Sequence, residues 1–420
     1  MARWNTIARG GAVLAVATLA LAACSSGDDP ESSETAGGGG GSTDPLIVGS
    51  LLPLTGSLAF LGPPEVAGVD LAIKEINEAG GVLGSPVEVV HSDSSDTANP
   101  QIAAQSVADM ISDGVSAIVG AASSSVSLNV VDDIAAAEVV QISPANTSTA
   151  LSGYSPYYFR VAPPDTVQGS ALANLIIDDG YSSVGILVFE DDYGTSLRDV
   201  IVGVMDENGV DVTYGTTETF DPTASNYTAE VQAIMATNPE AIVLIAFEQT
   251  VQVLPELLGA GFSAENLYMV DGNTADYSAD FDPGTLVGAK GTIPGANPTE
   301  DFQELLNSVA PEPLTSFAYG PESYDATMLV ALAAIKAGAT DGPSIQANLA
   351  AVSGSTGGTE CDTFSACVEL LDAGEEITYV AVSGSGPINV DNDPSSAFIG
   401  VYEYDENNVP VWVDAVFGEV

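Results

Sequence analysis

Residues 118–129, IVGAASSSVSLN, line up Ser123, Ser124 and Ser125 between a short apolar run and the start of an amphipathic one. Hydroxyls in such a row could supply a nucleophile, belong to a flexible linker, or cradle a ligand. A nucleophile needs a base within hydrogen-bond reach. The chain has one histidine, His91, which closes a predicted strand, and no serine sits in a G-x-S-x-G turn. The acid pairs Asp93/Asp96 and Asp191/Asp192 have the types needed for two-carboxylate chemistry or calcium. With 58 acidic residues such pairs arise freely, and solvated loops are expected there. Neither G-x-G-x-x-G nor G-x-x-x-x-G-K-[ST] occurs, GGGGG at 37–41 has linker composition, and one histidine with two spare cysteines is a poor zinc set. No enzyme, no cofactor and no metal is therefore expected. The cradle has a mechanism: hydroxyls and free backbone N–H groups at a helix N-terminus receive a carboxylate with help from the helix dipole, and need no arginine. Capping by one serine fits the same position, and position alone leaves both open. SPANTS at 143–148 adds the Thr147 hydroxyl and the Ala145 backbone at a neighbouring strand end.

The elements that must position these groups alternate regularly. LIVGSLL (46–52), PVEVVHS (86–92), VSAIVGA (115–121) and VVQISPA (139–145) have strand length, Val/Ile enrichment and turn residues at their ends. Between them, Val66, Val69, Ile73 and Ile76, then Ile102, Val107, Met110 and Ile111, recur at helical spacing, with glycines past both ends. Strand and helix in strict succession imply right-handed crossovers and a parallel sheet covered on both faces. Ligands bind such sheets at the carboxyl edge of the strands. The pattern breaks at Pro163 and Pro164, then restarts at VGILVFE (184–190) and runs through AIVLIAFE (241–248) to NLYMVDGN (266–273). Two α/β halves are expected. Helices over 299–310 and 320–338 lack strands of their own and are expected to pack onto an existing half, so the chain must cross back. The tail reads as strands and turns, with a last crossing near Ser396.

The first residues, MARWNTIARGGAVLAVATLALAAC, have two arginines, an apolar run too short to span a bilayer, and small residues before Cys24, which is the layout of an export signal. LAAC resembles a bacterial lipobox, which implies removal of residues 1–23 and a lipid on Cys24. Residues 24–44 are rich in Ser, Gly and acids and read as a disordered tether. Export also predicts a disulfide between Cys361 and Cys367 in CDTFSAC. The formal charge of −51, with only 7 basic residues, argues against nucleic acid or an anionic membrane surface as a partner.

LLPLTGSLAFLG, AIKEINEAGGVLGSPVEVV, IVGAASSSVS, ISPANTST, YYFRVAPPDTVQG and FEDDYGTSL follow one another in an order that resembles the branched-chain amino acid (Leu/Ile/Val) binding proteins, type I solute receptors of ABC importers. The resemblance implies an α/β fold of two lobes, each a Rossmann-like parallel sheet flanked by helices, joined by three crossovers. Residues 45–164 plus 293–396 would form lobe one, and 165–292 plus 397–420 lobe two. It also implies an amino acid or small amide held between the lobes by closure. The receptor would be lipid-anchored to the outer face of a bacterial cell membrane and deliver to ABC permease subunits; a ligand sensor on the same fold is the alternative. Carried over by motif, Ser124 and the backbone around Ser123 and Ser125 hold the carboxylate, and Ala145 and Thr147 bind carboxylate and ammonium. Tyr193 closes from lobe two with Phe247 on the facing wall, and Tyr319 meets the ligand side chain. The family's acidic ammonium partner aligns with Gly272, and the adjacent Asp271 is expected to serve. Leu61, preceded by Phe60, stands where the family often has an aromatic residue, which implies an altered side-chain pocket.

Overall fold

The computed structural model describes residues 44–420; the predicted export signal, the Cys24 lipidation site and the tether up to residue 43 lie outside the described residues. The Val- and Ile-rich runs become strands because side chains branched at Cβ fit a pleated surface buried on both faces. They are β1 (Ile47–Leu52), β2 (Glu88–Asp93), β3 (Ala117–Gly120), β4 (Val140–Ser143) and β5 (Tyr158–Arg160). The periodic stretches become α1 (Gly62–Glu78), α2 (Pro100–Ser112) and α3 (Ser124–Ala136). Proline opens α1 and α2, where the first N–H groups have no intrahelical partner to lose. The strands form an all-parallel sheet in the order β2-β1-β3-β4-β5.

The pattern then repeats as α4 (Asp165–Asp178), β6 (Ser183–Val188), α5 (Asp192–Glu207), β7 (Asp211–Tyr214), α6 (Thr228–Ala236), β8 (Ala241–Ile245), α7 (Thr250–Gly259), β9 (Leu267–Met269) and β10 (Lys290–Pro294). The chain returns to the first sheet with α8 (Glu300–Val309), α9 (Gly320–Ala337) and α10 (Gly342–Val352). A small annex follows, β11 (Thr359–Cys361), α11 (Phe364–Asp372) and β12 (Ile377–Tyr379), and the chain ends in β13 (Ser396–Tyr404) and β14 (Pro410–Glu419). In the annex a disulfide joins Cys361 to Cys367. The second sheet has the order β14-β13-β10-β9-β8-β6-β7. It is not wholly parallel: β13 runs antiparallel to β10, and β14 to β13, because a tight turn joins the last two strands as a hairpin.

Each sheet has its own core. Val48, Leu52, Ile76 and Ile142 pack with Met328 and Leu332 of α9, while Ile186, Val243, Leu244 and Met269 pack with Leu197 and Ile201 of α5. The result is an α/β fold of two lobes. The chain passes between them through 161–164, 295–299 and 383–395. Among the described residues no helix is long and apolar enough to cross a membrane.

The acid excess has an energetic consequence. Four cations in the described part are committed to ion pairs, Arg160–Asp393, Arg198–Asp199, Lys290–Asp179 and Lys336–Glu376, and most carboxylates therefore repel one another across the surface. The Debye length falls from about 10 Å at 0.1 M salt to about 3 Å at 1 M. Thermal unfolding is expected to shift upward by about 4 °C across that range, equivalent to about 3 kcal/mol. A melting temperature independent of sodium chloride concentration would contradict this.

Candidate ligand-binding site

The serine row sits where β3 ends and α3 begins, at the carboxyl edge of the first sheet. Gly120 makes the turn possible: its φ is 126°, and a Cβ there would stand 2.1 Å from the Leu51 carbonyl oxygen of the neighbouring strand. Beyond it the three hydroxyls diverge. Ser123 caps α3, its Oγ accepting from the Val126 N–H at 3.3 Å. Ser124 faces a cavity, and its Oγ accepts from the Ser148 N–H at 3.3 Å. Ser125 reaches across to the other lobe, where its Oγ donates to Asp192 Oδ2 at 3.0 Å and accepts from the Asp192 N–H at 3.1 Å. As first-turn residues, Ser124 and Ser125 carry backbone N–H groups without intrahelical acceptors.

Between the lobes lies a small cavity with a volume of about 20 Å³, room for about one water molecule as it stands. Lobe one contributes Ser123, Ser124 and Ala145, and lobe two contributes Tyr193, Phe247 and Asp271. Tyr319, the residue before α9, completes the wall in a left-handed conformation with φ 59°. Tyr193 is placed by the start of α5: Asp191 caps the helix by accepting from the Tyr193 N–H at 3.0 Å. The Tyr193 ring stacks on Phe247 with centroids 5.5 Å apart, and Phe247 rests against Phe189 at 4.6 Å.

Asp271, just past β9, is only 6% exposed. It accepts from Tyr193 Oη and Tyr319 Oη at 2.6 Å each and from Gln168 Nε2 at 2.9 Å. Burial raises the proton affinity of its carboxyl, and these three donors pull it back down. Two carboxylate oxygens offer about four acceptor positions, so one remains for a further donor. The cavity therefore presents unfilled N–H groups on one side and a buried carboxyl on the other.

Of the residues singled out in the sequence, Ser125 and Thr147 do not line this cavity. Ser125 is turned to Asp192. Thr147 is wholly buried behind the wall, its carbonyl accepting from the Asp165 N–H at 2.6 Å. The Ala145 N–H is occupied by Ser143 Oγ at 3.2 Å. Leu58, Leu61, Ala122 and Gly272 complete the lining, and Gln168 acts on the site through Asp271. Leu61 is the position the sequence marked as an altered aromatic one; Leu58 and Gln168, the latter buried in α4, gave no signal.

His91 lies within β2 rather than at its end and has two partners. Its Nδ1 meets Ser50 Oγ at 2.7 Å and its Nε2 meets Asp70 Oδ1 at 3.0 Å. These are the residue types of a hydrolase triad. Ser50, however, is 1% exposed inside β1 and lines no part of the cavity, so its hydroxyl meets no substrate there. The relay is a strut between strand and helix. Among the described residues no group of three or more His, Cys, Asp or Glu is arranged to hold a metal.

Two further carboxyls at the lobe junction are displaced upward. Burial pushes Asp165 up to about 7, with Asp271 adding to the shift and the Ser196 and Thr147 hydroxyls opposing it. Burial pushes Asp191 up to about 6. A carboxyl that holds its proton more tightly folded than unfolded stabilises the fold fully below its unfolded value and loses that contribution as pH rises through its folded value. The free energy of urea unfolding is therefore expected to fall between about pH 4 and pH 7, with Asp165 accounting for on the order of 4 kcal/mol. Asp165→Asn is expected to flatten that slope. Stability that climbs over the same interval would refute the assignment.

Comparison with known proteins agrees with this architecture. The profile of the family described as periplasmic binding protein matches residues 45–366. The chain is 27% identical over 371 residues, 84% of its length and 86% of the relative's, to the chemotactic signal transduction system substrate-binding protein BasB of Halobacterium salinarum. It is 25% identical over 306 residues to Leu/Ile/Val-binding protein homolog 1 of Brucella abortus, covering 70% of this chain and 80% of that one. The crystal structure of the branched-chain amino acid transporter substrate-binding protein LivJ from Streptococcus pneumoniae, in complex with isoleucine, superposes with a TM-score of 0.72 at 21% identity, over 90% of this chain and all of that one. The chain belongs to the periplasmic binding protein family, as a type I solute-binding protein related to the Leu/Ile/Val-binding proteins.

Proposed function

We propose that this protein is an extracytoplasmic receptor that captures an amino acid, branched-chain-like or of similar size, between its lobes and presents the closed complex to an ABC permease. The observation that carries the reading is the polarity of the cavity. The N-terminus of α3, with Ser124 beside it, suits a carboxylate, and Asp271 suits an ammonium. Contacts between the lobes support closure as the mechanism. Ser125 meets Asp192, and the Thr149 N–H donates to Ser196 Oγ at 2.9 Å. The sequence before residue 44 supports export and a lipid anchor at Cys24.

Calorimetric titration across a panel of amino acids tests this. Ser124→Ala is expected to weaken binding of the preferred ligand about ten-fold, the worth of one hydrogen bond to a charged group. An unchanged affinity would sink the site. A second reading, a sensor that hands the closed complex to a signalling partner, is favoured by the likeness to BasB. Neighbouring genes for two permeases and two ATPases would support import, and a neighbouring signal transducer would support sensing.

A further inference from the structure

A second cleft, with a volume of about 220 Å³, opens beside the first, and Tyr319 is a wall of both. Its sides mix aromatic and apolar residues, Phe60 and Phe317 from lobe one and Tyr402 and Ile293 from lobe two, with the polar Thr274, Asn297, Thr315 and Ser316. The only charged residues along it are Asp276 and Glu322, both acidic. Glu322, in the first turn of α9, is 2% exposed. Among the described residues no side chain donates to its carboxyl, and no lysine or arginine pairs with it. The fold makes room for it: Gly295, with φ 108°, lies where a Cβ would stand 2.2 Å from Glu322 Oε1. Behind it sits Glu65 of α1, whose two carboxyl oxygens are buried without a hydrogen-bond partner. Burial raises the proton affinity of both carboxyls; at Glu322 a hydrogen bond from its own backbone N–H opposes the shift and Asp325 adds to it, and at Glu65 the neighbouring Glu322 adds to it. This end of the cleft has acceptors, aromatic faces and no positive charge.

We propose that the cleft binds an organic cation with a compact apolar body, a tertiary or quaternary ammonium, whose charge sits at Glu322 and whose alkyl groups lie on Phe60, Phe317 and Tyr402. An ammonium over ring faces is attracted by their quadrupoles, the more so when desolvated. The cation supplies the counter-charge that lets Glu322 ionise. Because the walls come from both lobes, such a ligand binds only when these walls are together and so favours closure. Through the shared Tyr319 ring it abuts the residue that holds Asp271.

The site adjoins the amino-acid cavity through Tyr319, but Glu322 and Phe317 line only this cleft, so the proposal does not depend on that reading. The test is calorimetric titration of the folded protein with choline and with 3,3-dimethylbutan-1-ol, its uncharged isostere. It is run in 1 M sodium chloride so that diffuse attraction to the acidic surface is screened, with isoleucine titrated in parallel. The expected result is saturable one-to-one choline binding, weaker by about ten-fold or more for the alcohol. Glu322→Gln and Phe317→Ala are each expected to weaken choline by a similar factor while leaving isoleucine unchanged. Phe317→Ala carries the test should Glu322→Gln fail to fold. No saturable choline binding, equal binding of the alcohol, or choline affinity unchanged in a folded variant overturns the proposal. Failure of isoleucine alone would count only against the amino-acid site.

Discussion

Asp271→Asn is expected to reduce affinity for the preferred amino acid by about 10²- to 10³-fold, or roughly 3–4 kcal/mol, while leaving the melting temperature unchanged or higher. Asp271 is held between Tyr193, Tyr319 and Gln168, so an ammonium docking there pairs with a carboxylate that is already oriented and out of water. Removing the charge leaves the ligand's ammonium desolvated and unpaired, which is where the large cost of a broken buried pair arises. The unliganded fold loses little, because ionising a carboxyl at this depth is unfavourable and Asn relieves that cost. The split separates a binding role from a structural one. A variant that loses stability and keeps its affinity would show that Asp271 serves packing alone.

Arg160→Ala is expected to have the opposite signature, a loss of about 3–5 kcal/mol in stability. Arg160 is fully buried at the end of β5, where the chain first leaves lobe one. Its Nε donates to Asp393 Oδ1 at 2.6 Å, tying the strand that leads into the first crossing to the last crossing segment. Its other nitrogens donate to the Ser148 carbonyl at 2.9 Å and to Ser152 Oγ at 2.6 Å. Truncation strands Asp393, which is 2% exposed, as an unpaired buried charge. Chemical denaturation of Arg160→Ala, Asp393→Asn and the double variant checks this. The double variant is expected to cost less than the sum of the single ones, since the residues act as a pair. Full additivity would mean that the ion pair does not join the two segments.

The sequence made the helices and most strands legible because their burial pattern is periodic. Val126, Val130 and Ile134 mark the inner face of α3, and the serine row before them marks its start. Short or locally featureless pieces escaped. Strand β5 has three residues, too few for alternation to show, and the annex around β11 and β12 depends on pairing between short segments. Within the site, the placement of the serine row between a strand end and a helix start was readable from strand, glycine and helix in succession. The division of labour among Ser123, Ser124 and Ser125 was not, because Ser125 is defined by Asp192, 67 residues away on the other lobe. The His91 relay was hidden for a related reason: Ser50 and His91 are partners in the register of two adjacent parallel strands, a fact of sheet pairing that no local spacing carries. Thr147 is absent from the lining of the cavity, and its buried hydroxyl has no hydrogen-bond partner.

The central claim is that the cavity recognises a zwitterion, with its carboxylate at the N-terminus of α3 and its ammonium at Asp271. It is tested most directly by calorimetric titration of one protein preparation with isoleucine, N-acetylisoleucine and isoleucine methyl ester. Saturable one-to-one binding of isoleucine, with both blocked forms weaker by about 10²-fold or more, is the predicted result. Comparable binding of all three, or of none, would contradict it.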